Sequence, residues 1–437
     1  MRVFRVRETA SLEPIMNIIS RHSTLTWSLV DQMIISGMNF VVAILLARHL
    51  GVSQFGQFSL VWLVVVFVQG LQQGATTSPM MSIGPKQSLV TYRIYYSVVF
   101  AHQLIFAVLS TAFVIAGLLV WDQFSQEWNV RPFLWPLCGM VFIHQTQDFL
   151  RRYFFAINKS QISVILDFVR YGGQALALLL LFLFSPWQPG VAGVLWTMLI
   201  AASASILVVL GRIDKFDWSW AGWWSVTRRH WNFSKWNVGI VLAAWMSGQV
   251  YYFITGALLG SSAVGILNAA QTIMGVTNVL FQAMQNFMPV RASIAYRDGG
   301  IDQLGRFLWK CGLFITSATA VIVLILCVYP NQVMKLFYGS QFGDYGWVLV
   351  GYGIICIVTA IGTVFPIGLV TLEKTFPILL SFIISASTSI VIMYPLVSEH
   401  GLIGVLVGLT VYPAIQSFIQ FFAFQSLVAK RAGRAPK

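Results

Sequence analysis

The sequence predicts an all-α integral membrane protein, with twelve transmembrane helices forming two repeated six-helix lobes around a central cavity. Three observations carry this. Of the 437 residues, 57% are hydrophobic and only 9% charged, against roughly 25% charged in a soluble domain. Such a chain lacks the polar surface to face water, so the bilayer is its solvent. Its apolar runs are about 18–26 residues long, the span of a hydrocarbon core, and the alternating ten-residue segments of a membrane β-barrel are absent. Finally, the second half repeats the first at an offset of about 210 residues, the distance from Pro79 to Pro289. LGVSQFG at 50–56 returns as LGSSAVG at 259–265, so that Leu50, Gly51, Ser53 and Gly56 match Leu259, Gly260, Ser262 and Gly265. GVAGVL at 190–195 returns as GLIGVL at 401–406, and Lys159 has a looser counterpart in Lys374. Duplicated halves about a shared axis form one class of membrane-transporter architecture.

The elements follow in chain order. Residues 1–25 begin MRVFRVRETASLEPIMNIISRH, charged and without the apolar core and cleavage site of a signal peptide, and read as a cytoplasmic lead-in. The N-terminal lobe, 26–210, is expected to hold spans near 26–47, 54–76, 94–120, 132–157, 162–184 and 190–210. A linker, 211–234, carries Trp218, Trp220, Trp223, Trp224 and Trp231 with Arg228 and Arg229, a mixture that favours the headgroup layer. The C-terminal lobe, 235–425, is expected to hold spans near 235–257, 263–287, 311–329, 347–371, 376–397 and 402–425, followed by a basic tail, 426–437.

Charge sets the orientation. With both termini cytoplasmic, only Arg48, Arg131 and Lys335 of the 27 Lys and Arg fall on the outward side, and Arg170 lies within a span. Arg2, Arg5, Arg7, Arg212, Lys215, Arg291, Arg297, Arg306, Lys310, Lys430 and Arg431 are among those facing inward. This is the positive-inside bias, and it accounts for the net charge of +13 without a nucleic-acid partner. The four cysteines, Cys138, Cys311, Cys327 and Cys356, lie in or beside apolar spans without metal-ligand spacing, and read as small hydrophobes. No metal or other cofactor is expected, and no ATP-binding G-x-x-x-x-G-K-[ST] occurs.

Polar residues inside the spans are the functional candidates, because in lipid they face other helices or a wet cavity. Span 8 carries Asn268, Gln271, Thr272, Asn278, Gln282 and Gln285 at helical spacing, and span 1 carries Ser28, Gln32, Ser36 and Asn39 with Asp31 beside them. Interhelical hydrogen bonding and a hydrophilic cavity lined by one stripe from each half both fit. Spans 4 and 5 present His144, Asp148, Arg151, Arg152, Asp167 and Arg170. Asp148 lies one turn from Arg152 and Asp167 three residues from Arg170, spacings that allow local ion pairs. Substrate contact and structural pairing both stay open for this group. Arg48 is counted with the cavity candidates.

LLARHLGVSQFGQFSL (45–60), after a polar first helix and before RRYFFAINKSQ (151–161), resembles bacterial polysaccharide flippases. These are the O-antigen and exopolysaccharide repeat-unit transporters of the multidrug/oligosaccharidyl-lipid/polysaccharide exporter superfamily. The resemblance implies a non-enzymatic transporter in the bacterial inner membrane. It would flip an undecaprenyl-pyrophosphate-linked oligosaccharide from the cytoplasmic to the outer leaflet by alternating access, for polysaccharide biosynthesis. It also implies membrane lipids as partners, with a polysaccharide polymerase and a chain-length regulator as candidates. Arginine suits a pyrophosphate, through charge-assisted and often bidentate hydrogen bonds, and amides, hydroxyls and aromatic faces suit sugars. The rivals fit less well. A multidrug antiporter needs an acidic cavity, a major-facilitator carrier a basic loop where TSPMMSIGPKQS stands, and a membrane glycosyltransferase a long outward loop.

Overall fold

A computed structural model describes residues 13–88, 91–124, 131–184 and 189–432. The start of the N-terminal segment with Arg2, Arg5 and Arg7, the end of the basic tail, and the side chains of Ser28, Lys430 and Arg431 lie outside the described residues. Within them every regular element is helical. The polarity is inverted relative to a protein in water: Leu109, Phe113, Leu207 and Val391 stand outward, while Gln72, Gln103, Gln145, Asp148 and Arg170 are buried. Lipid offers a polar side chain no hydrogen bond, so such groups turn inward to find one another. The chain is a multi-pass membrane protein.

Eight helical stretches among the described residues are long and apolar enough to cross a membrane, or nine if the bent pair Ser261–Met274 and Val276–Gln282 counts as one span. The long runs Val30–Lys86 and Phe376–Ala429 each count once there, and the polar helix Arg131–Ala156 is not among them.

The sequence repeat is a repeat of backbone breaks. The run Glu13–Gln72 breaks at Gly51 (φ 72°, ψ 176°), and Gly260 (φ 82°, ψ 172°) separates Val250–Leu259 from Ser261–Met274. That backbone region is open to glycine almost alone. In each half a Leu-Gly pair therefore ends one helix and starts the next in a new direction. A second echo lies further on. Asn158 and Glu373 both have positive φ, 64° and 59°, and each closes a helix in the same way. The Lys159 and Lys374 amides reach back five residues to the Phe154 and Leu369 carbonyls, both at 2.8 Å. The amides of Asn158 and Glu373 bond Phe155 and Val370 at 3.1 and 2.9 Å. This is the Schellman closure, made here without glycine.

The helices gather into two compact units. The first takes the described chain to Val42 and then Val65–Val238. Its helix Arg131–Ala156 packs on Tyr92–Phe124 and Val191–Val209, around Tyr95, Val99, Phe149, Tyr153 and Leu166. The second takes Ala43–Val64 and Gly239–Lys437, with Val276–Cys327 and Phe376–Ala432 packed on Gly346–Gly362 around Met288, Leu304, Ile315 and Leu369.

Residues 43–64 thus pack with the second half of the sequence, and the repeated motif is the reason. A Cβ on Gly56 would overlap the Ser261 carbonyl, and one on Gly265 the Val52 carbonyl, so the two copies approach backbone to backbone. Ser53 and Ser261 hydroxyls lie 3.1 Å apart. Arg48 secures the end of this segment, its guanidinium donating to the Leu336 carbonyl and, at 2.7 Å, to that of Phe337.

The segment expected as a linker divides in two. From Trp220 it is already helix, continuous through residues 234 and 235 to Gly248. Trp218, Trp220, Trp224 and Trp231 are exposed, while Asp214 ties its start to the first unit. Asp214 accepts hydrogen bonds from Tyr92 (3.0 Å), Tyr153 (3.2 Å) and Lys159 (3.0 Å). Partial burial raises the carboxyl's pKa, but the bonds from Lys159 and Tyr92 outweigh it and hold the pKa below the usual carboxylate range.

Two stability measurements follow. A Cβ at Gly260 and one at Gly239 would each meet nothing within 4 Å, so Gly260→Ala isolates backbone strain, about 1–3 kcal/mol. It should lower the thermal midpoint in detergent, while Gly239→Ala, in a helix, should leave it unchanged or higher. For Asp214, a depressed folded pKa gives stability that is present above the unfolded value of about 3.9 and is lost as pH falls through the folded value. Asp214→Asn should therefore melt below the unmodified protein at neutral pH, the gap closing as the pH drops beneath the carboxylate range.

Candidate functional site

Three helices of the first unit bring six charges together. Arg151, on Arg131–Ala156, lies between two carboxylates from neighbouring helices: its Nη2 is 2.6 Å from Asp31 and its Nε 2.6 Å from Asp167. Asp148 pairs with Arg152 one turn on, at 2.8 Å, and lies 3.9 Å from Arg151. Gln69 donates to Asp148 at 3.1 Å. Arg170 is 1% exposed; it donates to Gln147 and meets His144 Nδ1, and its guanidinium stacks 4.5 Å from the Tyr171 ring. Gln147 closes the chain by donating to Asp167 at 2.6 Å. Three aspartates thus face three arginines, and the group is neutral as a whole.

The pairing runs across helices more than along them. Asp148 and Arg152 pair as their spacing allows, but Asp167 pairs with Arg151, and Arg170 reaches it only through Gln147. The helix that carries them explains this. Residues Phe168–Gly172 form a π-helical turn between Ser160–Asp167 and Gly173–Phe184. A widened turn shifts the three-residue register and turns Arg170 toward Gln147 and His144. A second π-helical turn, Gln73–Thr77, adjoins an amide ladder. There Gln72 donates to Gln103 at 3.0 Å and to the Gln145 carbonyl at 2.8 Å, and Thr76 donates to Gln103 at 3.2 Å.

The second unit holds a cavity of about 200 Å³ with no charged residue in its wall. Gln249, Tyr252, Gln271, Asn278, Tyr352, Thr359 and Tyr412 supply its polar groups, and Met274, Phe281, Ile355, Cys356 and Leu409 its apolar ones. The Tyr252 hydroxyl lies 2.9 Å from Gln271 Oε1 and bonds the Tyr352 hydroxyl. The chain bends by 52° about Gly275 at this point, whereas Gln249 stays helical within Trp220–Leu259, its amide bonded to the Trp245 carbonyl at 2.9 Å. Helices broken beside a cavity are a recurring way of building a polar site in a membrane.

The structure therefore sorts the fourteen candidates. Asp31, His144, Asp148, Arg151, Arg152, Asp167 and Arg170 form the ion cluster. Gln271 and Asn278 line the cavity. Asn268 instead donates to Ser59, and Arg48 binds the carbonyls described above. Gln32 donates to Ser36 at 3.2 Å, Asn39 is exposed, and Gln282, beyond the bend, is exposed as well. Sequence reasoning missed Gln69 and Gln147, which connect the cluster, and Gln249, Tyr252, Tyr352 and Tyr412. A glutamine one residue from Asp148 was a legible signal. The tyrosines were not, since they pass as apolar residues in a hydrophobic run. The four cysteines are free thiols, and Cys356 alone among them borders the cavity.

Residues 45–346 match the family described as polysaccharide biosynthesis protein, and the chain belongs to that family. Among solved structures it is similar to an inward-facing multidrug resistance MATE family transporter of the MOP superfamily. The TM-score is 0.71 at 14% identity, covering 94% of this chain and 100% of that one. It is also similar to the lipid II flippase MurJ in an inward closed conformation, with TM-score 0.67, 12% identity, and 92% and 87% of the two chains covered. A MOP superfamily transporter from Pyrococcus furiosus, whose binding pocket has reverse polarity, has TM-score 0.56 at 13% identity over 95% and 94% of the chains. Among curated proteins none matches. The fold is that of transporters and flippases, not of an enzyme.

Removing the central cation tests the cluster. Arg151→Ala leaves Asp31 and Asp167 buried together without it, a loss of about 3–5 kcal/mol for a broken buried pair. Protein abundance in the membrane should fall sharply. Adding Asp31→Asn and Asp167→Asn to the same chain should restore it in large part, because the uncompensated charge is gone.

Proposed function

We propose that this protein flips an undecaprenyl-pyrophosphate-linked oligosaccharide from the cytoplasmic to the outer leaflet of a bacterial inner membrane by alternating access, in the service of polysaccharide biosynthesis. The observation that carries the reading is a polar interior of amides, tyrosines and balanced charges inside an apolar helical exterior, in a chain of the polysaccharide biosynthesis family. A repeat unit cannot cross lipid alone, since each unpaired hydroxyl costs roughly 2–7 kcal/mol in an apolar medium. A protein interior that offers hydrogen bonds removes that barrier while the lipid tail stays in the bilayer.

The breaks at Gly51 and Gly401 support a count of twelve spans: each turns one long run of the nine into two, and the polar helix Arg131–Ala156 supplies the twelfth. Both termini on the cytoplasmic side follow from the distribution of Lys and Arg. A multidrug antiporter of the same fold remains the rival, and the uncharged cavity of the second unit speaks against it at that position. We assign the contact with pyrophosphate to Arg151 and Arg152, whose side chains are 20% and 23% exposed, with Arg170 behind them. An assembly with polymerase and chain-length regulator belongs to the same proposal.

Charge balance gives the energetics. Three arginines already answered by three aspartates leave a bound pyrophosphate with its own charge, about two negative units. Moving one charge through the membrane potential is worth about 2.3 kcal/mol per 100 mV, so outward movement from a negative interior runs downhill by about 5 kcal/mol per 100 mV. Reconstituted vesicles loaded with the lipid-linked glycan, at zero pH gradient and with the potential set by potassium and valinomycin, test this. Flipping should speed up when the loading side is made negative and slow when the sign is reversed. A rate indifferent to the potential would refute the electrogenic step, and no flipping under any condition would refute the function.

A further inference from the structure

We propose that the uncharged cavity of the second unit is a subsite for a single neutral sugar ring of the transported glycan. The inference rests on the flippase reading and names the part of the substrate that this unit holds. Size comes first. About 200 Å³ is many times the ~10–15 Å³ that one water requires, yet below the roughly 300–1,000 Å³ of sites for drug-sized ligands. One ring fits.

The wall chemistry selects among small ligands. With no acidic or basic side chain in it, the cavity offers nothing to a pyrophosphate, which calls for guanidinium or ammonium, or to an organic cation, which calls for a carboxylate. It offers Gln249, Gln271 and Asn278, whose amides donate and accept at once, and the hydroxyls of Tyr252 and Tyr352, which do the same. A sugar hydroxyl both donates and accepts, so this set suits a ring carrying several of them. Aromatic faces pack against the C–H face of such a ring.

The cavity is also prepared in advance. Tyr252 links Gln271 to Tyr352, so the polar groups hold one another in place and a ring hydroxyl can take over one of these bonds. The bend at Gly275 frees the local backbone from regular helix geometry at the same place. A bent helix beside a polar, uncharged hollow is more than interhelical bonding requires.

Cys356 in the cavity wall is a natural reporter. The test uses the full-length protein in nanodiscs with Cys138, Cys311 and Cys327 replaced by Ala, so that Cys356 is its one thiol. A small water-soluble maleimide measures its alkylation. The probes are D-glucose, D-galactose, L-rhamnose and N-acetyl-D-glucosamine, with inorganic pyrophosphate and tetraphenylphosphonium for comparison. At least one saccharide should slow alkylation severalfold, and neither comparison ion should do so. Tyr252→Phe and Asn278→Leu, at normal protein level, should weaken that protection by up to about tenfold, the scale of one lost hydrogen bond. Three results would overturn the subsite: no saccharide protects, the phosphonium protects in their place, or Cys356 resists the maleimide even without sugar. Vesicle flipping separates the two levels. Flipping without protection removes the subsite and leaves the function, whereas protection without flipping removes the function and leaves a saccharide site.

Discussion

Lipid gives a polar group no partner, and the structure depends on that constraint. Every regular element among the described residues is accordingly a helix, and the constraint sets a condition on each place where a helix must stop or turn. The carbonyls and amides released there have to be recovered inside the protein. The two Schellman closures at Asn158 and Glu373 recover them locally. Arg48 does so at a distance, covering the carbonyls of Leu336 and Phe337 at the end of the short helix Pro330–Tyr338. The breaks at Gly51 and Gly260 come at the same point of each half, where a second copy of the motif lies against the first. Gly56 and Gly265, stripped to a hydrogen, let the backbones meet.

The same constraint explains how the two units handle polarity differently. In the first, burying an isolated arginine or aspartate in lipid would cost about 2.5–3.5 kcal/mol on insertion scales. Arg151 therefore sits between Asp31 and Asp167, and Gln147 bridges what distance leaves open. In the second, polar side chains are amides, hydroxyls and phenols that satisfy one another without charge. Charged and uncharged polar groups are thereby gathered in different units, an arrangement that, under the proposed function, suits a substrate with an anionic end and a neutral one.

Much of this was legible in the sequence, for reasons that differ by feature. The membrane class follows from composition. The duplication follows from Leu-Gly pairs and small residues that cannot be replaced without changing the backbone, which is why LGVSQFG and LGSSAVG survive divergence around them. The charged cluster was legible because ionisable residues in apolar spans are costly and stand out. Its wiring was not: the π-helical turn at Phe168–Gly172 changes which residue Arg170 meets, and periodicity assumes a regular helix. The stripe on span 8 was read as one face, but only Gln271 and Asn278 reach the cavity, one on each side of the bend at Gly275, while Asn268 bonds Ser59 and Gln282 is exposed.

The segment Ala43–Val64 adds a mechanical consequence. It belongs to the first half by sequence and packs with the second, held by backbone approach at Gly56 and Gly265 and by a hydroxyl pair at Ser53 and Ser261. Phe55 adds side-chain packing to these contacts, its ring 6.4 Å from that of Tyr338 and 6.3 Å from that of Phe342. With Leu46 and Ala47 also buried, separating the segment would expose apolar surface at a cost of about 25 cal/mol per Å². Backbone approach and ring packing together therefore fix the segment in the second unit. Both copies of the Leu-Gly motif meet at this contact, so the duplication that set the two helix breaks also supplies the surface that joins them.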